Sequence, residues 1–543
     1  SRGSSPRNGW CEAEPTGVRL GMRWAGFLLV GAAWAIAPVP EQPDLIQWDP
    51  FIKHYVDRQG RARIFHGVNV VYKEFPWYPA ARAGDPELSL ADEDIDLLEK
   101  WGFNVVRLGV MWPGVEPRRG HVDEAYLREV RNITERLARR GVYTILDLHQ
   151  DVGSRHFCGE GFPEHYVEEL LKDPTSAMHR AAPFPVAANA SSGFPPLEEC
   201  LKKEFAGYYI TERVGALWRS LYEPGTPLNN GFVRFWSAVA AEFANATQVL
   251  AYELLNEPSG WCLGSRCLPT LPVGNKVEEQ YLAPLYRAAA RQIRAKDKHH
   301  IILMEPTITP KPTAPVFKEP PLGADTQQGL AYHIYCQPGD GNGTVADLVC
   351  KAAQDLYGRE FFGFLDRSSM AGFMTECGAV GQSEGELGHL SRLFGFADSH
   401  FQSWAYWQLK LFKDFTTANA DESFYDGQGK LETAKLRALS RTYARAVAGT
   451  PVSMSFDPAD ASFELAFRAA VRGQAPTEVY VNEELHYPAG YDVAVSPEGC
   501  LTVEPRRNLV LLFLAKDHQV SCLEQELRLS IKAKQPQTSE LIL

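Results

Sequence analysis

The chain is short of basic residues. Lys and Arg total 55 against 67 Asp and Glu, a formal net charge of −12. A surface of that sign lacks the positive field that a phosphate backbone requires, so nucleic acid is not an expected partner. The sequence also contains no phosphate-binding Walker loop, no dinucleotide fingerprint and no His-Glu-x-x-His pair. No cofactor and no metal are therefore expected. Internal repeats, heptads and low-complexity tracts are missing too, which leaves globular domains rather than solenoids or coiled coils.

Long apolar runs are equally scarce. The run from Trp24 to Ala37 falls short of the roughly 20 residues that cross a bilayer as a helix. It follows Met22 and Arg23 and ends on Ala35-Ile36-Ala37, the pattern of a secretory leader. Residues 1–37 are accordingly expected to be upstream sequence and a signal peptide. The expected destination is secreted or lumenal: extracellular, digestive or lysosomal. Four acceptor sequons agree with it, at Asn132, Asn189, Asn245 and Asn342. Of ten cysteines, Cys11 precedes the leader. Pairings of Cys158 with Cys200, Cys262 with Cys267, Cys336 with Cys350 and Cys500 with Cys522 leave Cys377 over. The 262/267 spacing suits zinc, but no second pair of ligands follows at a suitable distance.

Hydrophobic residues make up 45% of the chain, enough for a large core. Eight short, continuous apolar runs occur in order: 65–70, 103–110, 143–149, 249–257, 300–305, 330–336, 372–376 and 403–409. Such runs read as buried parallel strands. Helical three/four spacing marks 92–101, 124–140, 231–245, 277–297, 345–366, 385–400 and 431–449. Eight strands alternating with helices predict an α/β fold, a (β/α)₈ barrel over 38–449. Pro-rich 306–329 shows no helix pattern. The long segment 152–230 leaves the C-terminal end of the third strand. Its Phe, Tyr and Trp residues read equally as a wall around a bulky ligand or as a self-packed subdomain. From 450 to 543, runs at 453–456, 462–469, 478–481, 492–495, 509–514 and 526–531 predict a C-terminal β-sandwich domain without helices.

Two apolar strands end in glutamate. Asn256-Glu257-Pro258 closes the fourth and Thr375-Glu376 the seventh. Carboxyl groups are seldom buried unless they have work or partners. In a closed barrel both would meet at the mouth, where barrel enzymes hold their sites. Two such groups are what a glycosidase needs: one protonates the leaving oxygen while the other attacks the anomeric carbon. That chemistry makes Glu257 and Glu376 the candidate pair, one as acid/base and one as nucleophile, and it needs no metal. Arg107 and Tyr335 are placed to orient Glu376. Asn256 is placed to meet a sugar 2-hydroxyl. Lys73, His149 and Asp151 can grip sugar hydroxyls, Trp407 can stack on a sugar face, and His333 can shape the acid/base environment or orient Tyr335.

Leu254-Leu255-Asn256-Glu257-Pro258 and Thr375-Glu376-Cys377-Gly378 resemble the acid/base and nucleophile motifs of glycoside hydrolase family 5, which implies Glu257 as acid/base and Glu376 as nucleophile. Phe103-Asn104-Val105-Val106-Arg107-Leu108 and His333-Ile334-Tyr335 resemble that family's second strand and His-x-Tyr element. Asn69-Val70-Val71-Tyr72-Lys73, Leu148-His149-Gln150-Asp151 and Tyr443–Gly449 resemble the endoglycoceramidase branch of that family. The sequence departs from the family at Cys377, where an aromatic residue is usual, and at the Ser259-Gly260-Trp261-Cys262 loop. The resemblance implies a retaining β-glycosidase that cleaves between the glycan and the ceramide of glycosphingolipids. It further implies transient contact with a membrane surface and help from a lipid-presenting activator or a detergent-like agent. A family 5 β-glucanase, an exo-acting glucosylceramidase and an inactive glycolipid-binding protein are the alternatives.

Overall fold

The computed structural model describes residues 43–535, apart from 83–86, 180–187, 190, 262, 264–275, 309–315, 337–344, 413, 417–419, 471–474, 516–518 and 524. The expected leader, Cys11, the Cys262–Cys267 pairing and the Asn342 sequon lie outside the described residues.

Eight parallel strands close into a barrel: β1 (His66–Val70), β2 (Val105–Gly109), β3 (Tyr143–Asp147), β4 (Val249–Glu253), β5 (Ile301–Met304), β6 (Gln328–Tyr335), β7 (Ala371–Gly378) and β8 (Ser403–Tyr406). Each pairs with its neighbours in chain order, and β8 returns to β1 through Trp404–His66 and Tyr406–Val68. Alternate side chains serve two layers. Phe65, Val105, Ile145, Leu250, Leu303, Ala331, Phe373 and Ala405 fill the barrel interior. Val68, Leu108, Leu146, Tyr252, Met304, Tyr332 and Tyr406 face the helices outside. That double burial explains why the strands read as unbroken apolar runs.

The principal helices that follow the barrel strands are α1 (Asp92–Lys100), α2 (Glu124–Ala138), α3 (Pro227–Phe243), α4 (Ala283–Lys296), α5 (Val345–Arg367), α6 (Glu384–Ser399) and α7 (Thr433–Leu439). Local sequence sets their starts. Asp123 caps α2, Thr226 caps α3 with Pro227 at its first position, and Ser383 forms a capping box with Glu386 on α6.

Chain before the barrel closes its lower end. Trp48 and Tyr55, on short strands Gln47–Asp49 and His54–Val56, pack into the interior cluster. Their polar ends donate to Ser369 O at 2.7 Å and to Gly372 O at 3.0 Å. The opposite end, where the strands terminate, stays open.

Two expectations about the C-terminal region are corrected. The helix expected over 431–449 stops at Leu439, and Tyr443–Val447 is a strand, antiparallel to Thr477–Tyr480 and to Ala62–Arg63. Helical spacing in the sequence is overridden there by long-range ladder pairing. Buried Arg441, which binds Asp398 at 2.6 Å, sits at the change of direction. The β layer also does not begin at 450. Strands 47–49, 54–56 and 62–63 join 443–447, 477–480, 509–514 and 501–506 in one seven-stranded sheet. The four-stranded sheet 449–457, 462–469, 526–533, 491–496 packs on it through a shared core that includes Val447, Val479, Leu512, Phe463, Leu465 and Leu529. Strand Leu501–Arg506 and the short helix Gln519–Leu523 went unread in the sequence.

Three disulfides join the expected partners, Cys158–Cys200, Cys336–Cys350 and Cys500–Cys522, and Cys377 is a buried free thiol.

Candidate active site

The site lies just past the C-terminal ends of the strands and is built around Arg107 on β2, whose side chain is wholly buried. A buried guanidinium demands acceptors for its fork of donors. Nε donates to Glu253 Oε2 at 2.7 Å, and Nη2 donates to Asn256 Oδ1 at 2.7 Å and lies 3.1 Å from Asp147 Oδ1. Nη1 donates to Asn69 Oδ1 at 3.0 Å and to Glu376 Oε1 at 2.5 Å. Tyr335, at the end of β6, donates its hydroxyl to Glu376 Oε2 at 2.6 Å. Both Glu376 oxygens therefore accept from fixed donors, which orients the carboxyl group. The backbone behind it is equally fixed. Asn69 Nδ2 donates to Thr375 O at 3.0 Å, and Gly378 turns at φ +99° where a Cβ would run into the Tyr406 ring.

Glu257 follows β4 in a left-handed conformation, φ 41°. For a residue other than glycine this costs about 1–3 kcal/mol and persists only where the surroundings impose it. They do: its amide donates to Glu305 Oε2 at 2.7 Å, and Gln150 Nε2 donates to the carbonyls of Asn256 at 2.8 Å and Glu257 at 3.2 Å. His333 Nδ1 lies 2.8 Å from Glu257 Oε1. Among the described residues its Nε2 has no partner, which assigns the proton to Nδ1 and makes it the donor. Burial pushes His333 down to about 4 against the pull of Glu376, so the ring is neutral. Burial, and then the charge of Asp151, push Glu257 up to about 7.

Glu257, His333 and Glu376 offer oxygens and a nitrogen that all lie within 4.8 Å of one another. Two carboxyl groups that close match double displacement, for which about 5–5.5 Å is usual, and are too near for the water that inversion interposes at about 6.5–9.5 Å. This trio, like Glu253, Glu305 and His333, is also near enough to chelate a metal ion, although the acid–base chemistry calls for none.

Two cavities meet at Glu257. The first, about 360 Å³, gathers the charged groups: Lys73, His149, Asp151, Asn256, Glu257, Glu376, Trp407, Asp414, Thr416 and Glu422 line it with Phe205, and it shares Ile308 and Tyr335 with the second. The charged groups are mutually braced. Lys73 Nζ reaches Asp151 at 2.5 Å, Asp414 at 2.6 Å and Thr416 at 2.8 Å. Burial would lower His149, but Asp147, 2.7 Å from its Nδ1, and Asp151 overcome it and raise the group to about 9. His149 stacks 5.2 Å from Trp407, whose Nε1 donates to Glu422 at 2.8 Å. The second cavity, about 250 Å³, contains Glu257 and Glu305 but not Glu376, and Ile308, Tyr332, Tyr357 and Phe361 make it largely apolar.

All ten residues singled out in the sequence fall at this mouth. Asn256, Lys73 and Asp151 sit differently from the expectation, and His333 takes the first of its two expected roles. Asn256 has its carbonyl on Arg107, and one amide proton goes to Gln150 O at 3.1 Å. Lys73 and Asp151 pair with each other as well as lining the cavity. His333 contacts Glu257 rather than orienting Tyr335. Sequence reasoning missed Asp147, Glu253 and Glu305, although an acid ending an apolar run is the same signal that exposed Glu257. It also missed Asp414, Thr416 and Glu422 on the loop after β8, where no pattern distinguishes them. Of the 152–230 aromatics, Phe162, Tyr166 and Trp218 pack with Trp112 and Tyr222 in the core, while Phe205 reaches the cavity. Both readings of that segment hold in part.

A closed parallel barrel carrying a close carboxyl pair at its C-terminal mouth is the architecture of a glycoside hydrolase. Comparison with known proteins names the family. Residues 57–413 match the cellulase (glycosyl hydrolase family 5) family, and residues 441–528 match the glycoside hydrolase family 5 C-terminal domain. The chain is 33% identical to an endoglycoceramidase of Cyanea nozakii over 84% of its own length and 88% of that protein. It is 31% identical to endoglycoceramidase I of Rhodococcus hoagii over 84% of each. Endo-glycoceramidase II from Rhodococcus sp., solved among other forms as a complex with ganglioside GM3, shares the fold. In the GM3 complex the TM-score is 0.65 at 21% identity, over 89% of this chain and 99% of that one. The chain belongs to glycoside hydrolase family 5.

Proposed function

We propose that the protein is a retaining endo-β-glycosidase that hydrolyses the bond between the glycan and the ceramide of glycosphingolipids. The observation that carries this reading is Glu257 standing where two cavities meet, one gathering the charged groups with Glu376 among them, the other lined by Tyr332, Tyr357 and Phe361 and without Glu376. The glycan occupies the charged cavity, its anomeric carbon over Glu376. Glu257, protonated, gives its proton to the leaving oxygen while Glu376 attacks and forms a glycosyl ester. Ceramide departs through the apolar cavity. Glu257, now a carboxylate receiving the His333 N–H, takes a proton from water, which attacks the anomeric carbon and frees Glu376. The similarity to endoglycoceramidases over 84% of the chain supports the substrate class.

The lipid is met at a membrane or micelle surface. Cys336–Cys350 staples the start of α5 to the end of β6. On that helix Val345, Leu348 and Val349 present an exposed apolar row, and Tyr357 and Phe361 further along line the apolar cavity. Exposed apolar side chains at successive turns suit a lipid surface. A detergent or activator that loosens the lipid from its bilayer raises turnover. The compartment is secretory: three disulfides need an oxidising environment, and Asn132, Asn189 and Asn245 are exposed acceptors.

Chromatography of products from a ganglioside, a glucosylceramide and cellulose oligomers tests the reading. Intact oligosaccharide plus ceramide is the expected result. Products from cellulose oligomers alone would make the protein a glucanase instead.

A further inference from the structure

Glu305 has no part in a two-carboxyl mechanism. It is nevertheless only 4% exposed, just beyond the end of β5, and burying a carboxyl group without a cation is costly. Among the described residues the only basic side chain within ion-pair distance is His333, with Nδ1 3.4 Å from Glu305 Oε1. The other oxygen accepts the Glu257 amide at 2.7 Å, and that amide belongs to the left-handed residue that carries the acid. Two further bonds stitch the segments together. Tyr286 donates its hydroxyl to Glu305 O at 2.7 Å, and the Ile308 amide donates to Pro258 O at 3.0 Å.

We propose that Glu305 is a positioning residue for the acid/base: as a neutral carboxyl group it holds the Glu257 backbone in the left-handed turn that aims its side chain toward Glu376. This rests on the roles given above to Glu257 and Glu376. A neutral carboxyl group keeps an oxygen free to accept the amide. A charged one would set a second anion beside Glu376 around His333 Nδ1, at 3.4 and 3.5 Å, with protonated Glu257 at 2.8 Å. Burial, followed by the charges of Glu257 and Glu253, holds Glu305 well above the usual carboxyl range, in keeping with the neutral form.

The test compares full-length wild type, E305A and E305Q on two β-glycosides of the same sugar, one dinitrophenyl and one alkyl. The dinitrophenolate leaves without a proton, whereas the alkoxide needs the acid. E305A is expected to lose about 100-fold or more in kcat/KM on the alkyl glycoside, the usual scale of general-acid assistance, and to keep wild-type kcat/KM on the dinitrophenyl one. Added azide should raise its kcat on the dinitrophenyl substrate. Azide attacks the anomeric carbon of the glycosyl ester, releasing the Glu376 carboxylate and glycosyl azide without base catalysis. E305Q, neutral and still an acceptor, should match wild type on both. Equal losses by E305A on both glycosides with its fold intact, no loss on either, or an E305Q as impaired as E305A would overturn the proposal. Should E305A fail to fold, E305Q decides alone. Full activity with an unmoved basic limb of the pH profile supports a neutral acceptor, and a limb shifted to lower pH overturns it. Wild-type protein inert toward both glycosides would overturn the carboxyl-pair reading and this one with it.

Discussion

Glu257 and Glu376 are the same side chain in two environments, and the difference between those environments is the mechanism. Glu376 receives Arg107 and Tyr335, whereas Glu257 receives only the neutral His333. Glu376→Gln should therefore cost several orders of magnitude in kcat while leaving the melting temperature near wild type, because the nucleophile acts as a unit with its partners. The raised Glu257 group also fixes a pH dependence. kcat/KM should fall as pH rises through about 7, where the acid loses its proton. The stability sign follows from the same shift. A carboxyl group raised in the folded state contributes stability that is full below its unfolded value and lost as pH rises through about 7. Glu257→Gln escapes that loss, so its melting temperature relative to wild type should climb between pH 5 and pH 8. A flat difference across that range would contradict the assignment. At this scale the sequence disclosed most of the site, because each residue ends an apolar strand and polarity there is conspicuous. Asp414 and Thr416 stayed hidden because their loop has no period and their role is visible only through Lys73.

Among the elements, strands were more legible than their surroundings. An apolar run buried on both faces is plain in sequence, and all eight barrel strands were found within a few residues. Segment 443–447 was misread because its apolar residues fit helical spacing as well as an extended ladder, and its partners lie at 62–63 and 477–480, far away in the chain. The 152–230 segment could not be resolved from composition, since core and cavity aromatics look alike. Its Cys158–Cys200 bridge closes 42 residues next to Phe205. Removing both cysteines should cost about 4 kcal/mol by chain entropy, measurable by denaturant unfolding. It should also raise KM as the cavity wall loosens. On α5, Leu348→Asp with Val349→Asp should lower turnover of glycolipid in vesicles severalfold and leave a soluble aryl glycoside untouched. Equal loss on both would remove the lipid-surface role.

The described residues from 43 onward form a barrel sealed below and open above. The seal and the β layer are one structure, since strands before β1 share a sheet with strands after α7. Tyr480 donates to Lys100 O at 2.8 Å and Tyr443 to Gly102 O at 2.8 Å, tying that layer to the end of α1. Ending the chain at residue 440 should therefore leave a barrel that is insoluble or rapidly proteolysed, even though the β layer holds none of the mouth residues. The central claim is two successive inversions at one anomeric carbon: Glu376 displaces ceramide from one face, and water then displaces Glu376 from the other, which restores the β configuration. Proton NMR of the first sugar released from a glycosphingolipid reads this directly through the anomeric signal before mutarotation. The account predicts the β anomer, together with free ceramide. An α anomer appearing first would show a single displacement and contradict it.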